Sequence, residues 1–449
     1  MKRRKFCGIL SVILAVSMLS SCGGSTAPEK TDKPEENTAV VTDKETETET
    51  ETDSVTTAPE TKPDADETFD YSSLSEEEYR NLVITNSIVT TGNTDRIKNV
   101  FSRAEKGEEI TVAYIGGSIT EGYNSDVTKC WAQLSFNELS ERFPKAKMNY
   151  VNAGMSGTTS SLGLIRSERD VIAPYGNPDI VFIEFAVNDA QDSISKEGYE
   201  SLVRKMLGLP SNPAVILLFT QTDTGYNCQK HMSEIGNNYG LPMISVPDSL
   251  GVEFKSGRMD WSLYADDGAH PNINGHRYIA DMVKRLYDYI LSDTVIPDKE
   301  KEGWDRDNSD LSAIEPLYGD AYANMHLLDS SNLTPLTMGE YKEKTALSQF
   351  PNGWVRKGGD NEGITFEIEC ESLFIIYHCQ NSKKYGTAEV FVDGEMKSEV
   401  KSNASNGWSN PVEQLVMKGD GVKKHTVEIK MAEGNEDTYF GILGFGYTD

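Results

Sequence analysis

Ile110-Thr-Val-Ala-Tyr-Ile115 runs straight into Gly116-Gly-Ser118-Ile-Thr120. The run is short and almost continuously apolar, so it reads as a strand covered on both faces rather than one with a wet side. Four later segments share its character: Met148-Asn-Tyr-Val151, Ile180-Val-Phe-Ile-Glu-Phe185, Ala214-Val-Ile-Leu-Leu-Phe219 and Met243-Ile-Ser-Val246. Helical patterns lie between and after them, around 132–143, 161–172 and 272–291. Strand and helix in alternation predict a five-stranded parallel sheet inside a three-layer α/β/α sandwich. Such sheets bind ligands at the carboxyl ends of their strands. Ser118 follows the first strand and Asn188 the third, so both fall on that edge.

Working outward, the chain of 449 residues is long enough for two folded domains plus tails. Beyond about residue 299 the pattern changes. Trp304 to Asp310 is polar and linker-like. It is followed by period-two segments such as Ile364-Thr-Phe-Glu-Ile-Glu, Leu373-Phe-Ile-Ile-Tyr-His, Ala388-Glu-Val-Phe-Val and His425-Thr-Val-Glu-Ile-Lys. Turns at Asp393-Gly394 and Asp420-Gly421 are expected to separate them, which predicts an all-β jelly roll or sandwich over 299–449. The first domain then occupies 71–298.

The N-terminus carries an address. Lys2-Arg-Arg-Lys5 precedes an apolar run that ends in Leu19-Ser-Ser-Cys22-Gly23, as in a signal peptide. Residues 1–22 resemble a bacterial lipoprotein signal, with Cys22 as the lipidated residue; an ordinary signal peptide with an incidental cysteine is the alternative. Residues 23–70, centred on Thr46-Glu-Thr-Glu-Thr-Glu-Thr, have almost nothing to bury and read as an extended acidic tether. The expected location is the bacterial cell surface, outside the cytoplasm, with the N-terminal lipid as the only membrane contact. Cys130, Cys228, Cys370 and Cys379 match no zinc spacing and read as free buried thiols, with pairing left open. A net charge of −28 argues against nucleic acid as a partner.

Near the end of the first domain stands Asp267-Gly-Ala-His270-Pro. A hydroxyl such as that of Ser118 needs a base, and a neutral imidazole is the usual one near neutral pH. A carboxylate three positions earlier can fix the ring's tautomer and steady the imidazolium. Taken singly, Gly-Gly-Ser is more often a turn, Asn188 a loop cap, and Asp267 the cap of the helix that follows. Their order along one sheet edge argues for a site.

Together these residues resemble the SGNH (GDSL-type) hydrolase superfamily, over roughly residues 80 to 292. Gly116-Gly-Ser118, Asn152-Ala-Gly154, Val187-Asn188-Asp189 and Asp267-Gly-Ala-His270 match its four blocks. Gly117 stands where many members have aspartate, and Ala186 where glycine is usual. The resemblance implies a flavodoxin-like α/β/α fold, a catalytic set of Ser118, Asp267 and His270, and an oxyanion hole from the Ser118 N–H, the Gly154 N–H and Asn188. It implies no metal and no cofactor. His276 and His231 read as structural, and Asp189 as a residue that orders its loop.

The anchor, the tether and the extra β domain resemble bacterial carbohydrate esterases. The expectation is therefore a serine esterase that hydrolyses acetyl esters on a polysaccharide or oligosaccharide through an acyl-enzyme on Ser118. The β domain could hold glycan through Trp354, Trp408 or Tyr385. A lipase or thioesterase of the same fold, or a non-catalytic glycan-binding lipoprotein, are the competing readings.

Overall fold

The computed structural model describes residues 71–296 and 305–449. Cys22, the signal segment and the 23–70 tether lie outside the described residues, as does Trp304. The chain divides into two compact units at Glu76/Glu77. Of the first, the described part holds a single 3-10 turn, Tyr71–Ser73. The second, Glu77–Asp449, contains both the α/β and the all-β parts.

The α/β part is built on six strands: β1 (Ile88–Thr90), β2 (Glu109–Gly116), β3 (Lys147–Gly154), β4 (Ile180–Glu184), β5 (Ala214–Phe219) and β6 (Met243–Ser245), in spatial order β1-β6-β5-β4-β2-β3. Strands β2 to β6 are the five parallel strands expected. Strand β1 adds an antiparallel edge on β6. Alternate residues of each strand serve opposite cores. Ala113, Ile115, Val181, Ile183, Val215 and Leu217 pack with Leu162, Leu164, Tyr199 and Met232 on one side. Val112, Tyr114, Phe182 and Ile216 pack with Trp131, Ile279 and Val283 on the other. Helices on both faces make the three layers. From β2 the chain moves to β3 on one side and then returns to β4 on the other, which makes the carboxyl end of β2 the switch point of the sheet.

The all-β part holds β7 (Met325–Leu328), β8 (Lys342–Glu343), β9 (Trp354–Arg356), β10 (Ile364–Gln380), β11 (Thr387–Val392), β12 (Glu395–Lys401), β13 (Trp408–Met431) and β14 (Phe440–Thr448). They form one antiparallel sheet in the order β12-β11-β13-β10-β14-β9-β8, with β7 on β14. The β11–β12 turn uses Asp393 and Gly394 at φ 52° and 82°, the left-handed pair that a tight hairpin requires. Asp420-Gly421, in contrast, separates no strands. Cys370 pairs with Lys423 and Ser372 with Lys418, so the intervening residues bulge out and β13 continues beyond them. A bulge bends and twists a strand without ending it.

This bend sets how the two parts meet. The first half of β10 alternates buried and wetter residues, whereas from Leu373 to Cys379 every residue is buried. Leu373, Ile375 and Tyr377 face the β core. Phe374 and Ile376 face the opposite way and join the α/β core beside Leu162 and Ile165. The two parts share one apolar interior.

Candidate active site

Ser118 opens a one-turn helix, Ser118–Glu121, directly at the end of β2 and is only 7% exposed. Its Oγ lies 2.9 Å from His270 Nε2. His270 Nδ1 lies 2.9 Å from Asp267 Oδ2. With the proton on Nδ1 donated to the carboxylate, Nε2 is left to accept the serine O–H. Asp267 Oδ1 accepts the backbone N–H groups of Ala269 and His270 at 2.9 and 2.7 Å, and Asn124 Nδ2 reaches Oδ2 at 3.0 Å. Partial burial pushes the Asp267 carboxyl up, but the His270 and Ala269 N–H groups and the His270 ring outweigh it and hold the group below its usual range. Asp267 therefore closes a tight turn onto its own histidine. The following helix, Ile273–Leu291, is capped by Asn272, whose Oδ1 accepts the Asn274 and Gly275 N–H groups at 3.0 Å.

Asn188 reaches the same edge from the loop after β4. Its Oδ1 is buried and has no hydrogen-bond partner among the described residues, and its amide abuts Gly117. Any side chain at position 117 would collide with it here.

The expectation of an open donor at Gly154 is not met. Its N–H is donated to Asn152 Oδ1 at 2.9 Å, an Asx turn that completes the end of β3. Among the described residues, the N–H groups of Ser118 and Gly157 have no such protein acceptor. Gly157 was not singled out from the sequence. Its φ of 69° and its place in Met155-Ser-Gly157-Thr, just past β3, are the signals that mark it.

Glu184 was read as part of an apolar strand. It is fully buried beneath the nucleophile turn, accepting the hydroxyls of Thr120 at 2.8 Å and Thr220 at 2.7 Å and the N–H groups of Gly117 and Thr120. Burial raises its carboxyl, and these four donors work against that rise. A lone carboxylate at the end of a buried strand was the available sign.

Three partly exposed aromatics ring the site. Tyr123 lies against the His270 ring with centroids 4.5 Å apart. Tyr226 donates its O–H to the Asp189 carbonyl at 2.6 Å. Trp408, on the β domain and half-exposed, lies over Gly157. Trp354 is instead wholly buried in the β core. Asp189 accepts the Ser160 N–H at 2.7 Å. His276 is buried, accepts the Trp131 N–H at 3.2 Å, and is pushed down by burial to about 4; His231, also buried, is likewise lowered to about 4. Cys130, Cys228, Cys370 and Cys379 are free and buried.

Residues 114–278 match the GDSL-like lipase/acylhydrolase family. The α/β part is an SGNH hydrolase domain. This SGNH domain is 24% identical over 196 residues to the thioesterase 1/protease 1/lysophospholipase L1 of Escherichia coli strain K12, covering 41% of this chain and 86% of that protein. Both parts of the chain together are similar to a two-domain esterase active on acetylated mannans. Its mannopentaose co-crystal structure is 26% identical, with a TM-score of 0.72 over 82% of this chain and 98% of that one. A second structure of such an esterase gives 27% identity and a TM-score of 0.71, over 82% and 99%. The protein is an SGNH-type ester hydrolase with an all-β C-terminal domain.

Proposed function

We propose that this hydrolase is a serine esterase that removes acetyl groups from a polysaccharide or oligosaccharide. The observation that carries the reading is the unbroken relay of two 2.9 Å contacts, Ser118 Oγ to His270 Nε2 and His270 Nδ1 to Asp267. His270 takes the Ser118 proton as Oγ attacks the acetyl carbonyl, then gives it to the departing sugar oxygen. Water repeats the attack on the acetyl-enzyme, releasing acetate and restoring the serine O–H. The Ser118 N–H and the Asn188 amide are placed as oxyanion donors in this scheme. The third donor shifts from Gly154, whose N–H is engaged, to Gly157, whose N–H is not.

The saccharide half of the proposal draws on two observations. The likeness to the acetylated-mannan esterases extends over both domains. The half-exposed ring of Trp408 also stands at the rim of the site, where a flat apolar face suits a sugar ring. A thioesterase or lipase of the same fold is the second reading, favoured by the E. coli relative. Acetate release from acetylated mannan and xylan, against hydrolysis of acetyl and octanoyl esters, separates the two. Preference for the longer chain overturns the acetylesterase reading, and full activity in Ser118→Ala overturns the mechanism.

The same proposal puts the enzyme on the bacterial surface through a lipid on Cys22. Cys22→Ala is expected to move it from the membrane fraction to the soluble one.

A further inference from the structure

The segment that links β3 to the helix Ser160–Ser167 carries Gly157, and every residue of that helix is buried. A surface helix of an α/β sandwich normally keeps one wet face. Here the far face is covered by the β domain: Phe374, Ile376 and Leu443 share a core with Leu162, Leu164 and Ile165. Gly446 lies so close to the helix that a Cβ there would fall 2.5 Å from Ile165. The helix behind the glycine loop is thus held between two domains.

Two side chains of β13 reach past this contact to the loop itself. The Trp408 indole lies over Gly157, where a Cβ at 157 would be 2.6 Å from Cζ2. Glu413 accepts the Thr159 hydroxyl. Thr159 is the N-cap of the helix, its Oγ1 accepting the Leu162 N–H at 3.3 Å, so the bond to Glu413 fixes the rotamer that does the capping. Further along β13, the Lys418 ammonium reaches both oxygens of Glu197, at 2.7 and 2.8 Å, on the neighbouring helix. From within the SGNH domain the loop is tied at its start by the Met155 N–H to the Gly116 carbonyl at 3.0 Å, through Ser156 to Glu121 and Arg166 to Thr158, and at its end by the Ser160 N–H to Asp189.

We propose that Glu413 and Trp408 are positioning residues for the ester chemistry: the β domain holds residues 155–160 in register with Ser118, independently of any saccharide it binds. The role rests on the esterase reading above but differs from glycan capture. A binding module changes the affinity for polymer. A positioning contact changes turnover even on an ester with no sugar, because a misplaced oxyanion donor costs rate rather than binding.

The test uses the full chain and 4-nitrophenyl acetate. Glu413→Ala is expected to lower kcat on the order of 10- to 100-fold with little change in KM. Glu413→Gln keeps a carbonyl acceptor for Thr159 and restores most of the loss. Thr159→Val removes the same bond together with the cap, so it should lose at least as much as Glu413→Ala, and the double variant should be no worse than Thr159→Val. Amide hydrogen exchange over residues 155–167 should speed up in Glu413→Ala while the sheet strands keep their protection. Wild-type kcat in Glu413→Ala, a loss that only follows the folded fraction, or unchanged exchange over 155–167 overturns the proposal. A wild-type protein inert on every acetyl ester would instead overturn the esterase reading, and the exchange data would still report on the positioning.

Discussion

Asn188 fills the space into which any side chain at position 117 would project: a Cβ built on Gly117 lies 2.3 Å from Asn188 Oδ1 and 2.9 Å from Nδ2. The pair explains why glycine stands before the nucleophile in this chain. Glycine lets the amide from the loop after β4 close on the turn after β2. Gly117→Ala is therefore expected to push the Asn188 amide out of place and to lower kcat about 100-fold or more, as losing an oxyanion donor does. KM on a small acetyl ester should stay within a few-fold. Wild-type kcat in Gly117→Ala would show that Asn188 is not such a donor.

Glu184 should behave as the anchor of the nucleophile turn. Its carboxylate accepts from the hydroxyls of Thr120 and Thr220 and from two backbone N–H groups. Glutamine offers one oxygen and turns an N–H₂ toward groups that are themselves donors. Leaving buried donors unmet costs about 1–3 kcal/mol. Glu184→Gln is expected to lower both Tm and kcat, and to slow the labelling of Ser118 by a phosphonate ester. A variant that labels at the wild-type rate would limit Glu184 to a role in stability.

How much of this was legible in the chain follows from what each feature rests on. The five parallel strands were readable because continuous apolar runs such as Ala214–Phe219 are a local signal. Strand β1 was not, since three residues at an edge carry no periodicity. Ser118, Asp267 and His270 were named from their residue types and order and Asn188 from the family resemblance, and the structure brings them to one edge. Glu184 was absorbed into its strand, because an apolar pattern with one charge looks like a strand end. Gly157, Tyr123 and Tyr226 depend on tertiary neighbours, and Trp408 was named as a glycan contact without its place at the site. The contact of Trp408 with Gly157 spans two domains, which no local pattern encodes. The turn expected at Asp420-Gly421 failed for a related reason: Gly421 serves a bulge inside a longer strand.

Asp189 and Glu413 should make the domain junction sensitive to pH. Burial is the main cause in each, and both carboxyls are pushed up to about 7. Asp189 is further raised by the charges of Glu413 and Asp192 and is opposed by hydrogen bonds from Ser160. Glu413 is opposed by its bond from Thr159 and by the Arg166 charge. Unfolded carboxyls titrate near pH 4, so between about pH 4 and 7 the folded chain keeps protons that the unfolded chain has lost. The contribution of these groups to stability is whole below that window and is lost as the pH rises through it. Glu413→Gln removes one of the two titrations. Its Tm relative to wild type should therefore rise between pH 5 and 7 and level off above. A constant Tm difference across that range would show that Glu413 ionises normally.

Phe374 tests whether the two domains stand or fall together. Its ring is buried, packs edge-on against Tyr322 with centroids 5.1 Å apart, and belongs to the apolar core of the SGNH domain although it is carried by β10. Its strand neighbours Leu373 and Ile375 belong to the β core. Removing a buried phenyl ring costs about 3–5 kcal/mol, and here the cavity would open between the domains. If they are separate folding units, Phe374→Ala loosens their contact and leaves two transitions, one of them near its original temperature. A shared core predicts instead a single calorimetric transition in the wild type that moves as a whole to lower temperature in the variant. The helix Ser160–Ser167 contributes Leu162, Leu164 and Ile165 to the same apolar core, so the variant should also lose turnover on a small acetyl ester at temperatures where it is still fully folded. A transition that splits, with turnover unchanged, would mean that the β domain is only appended.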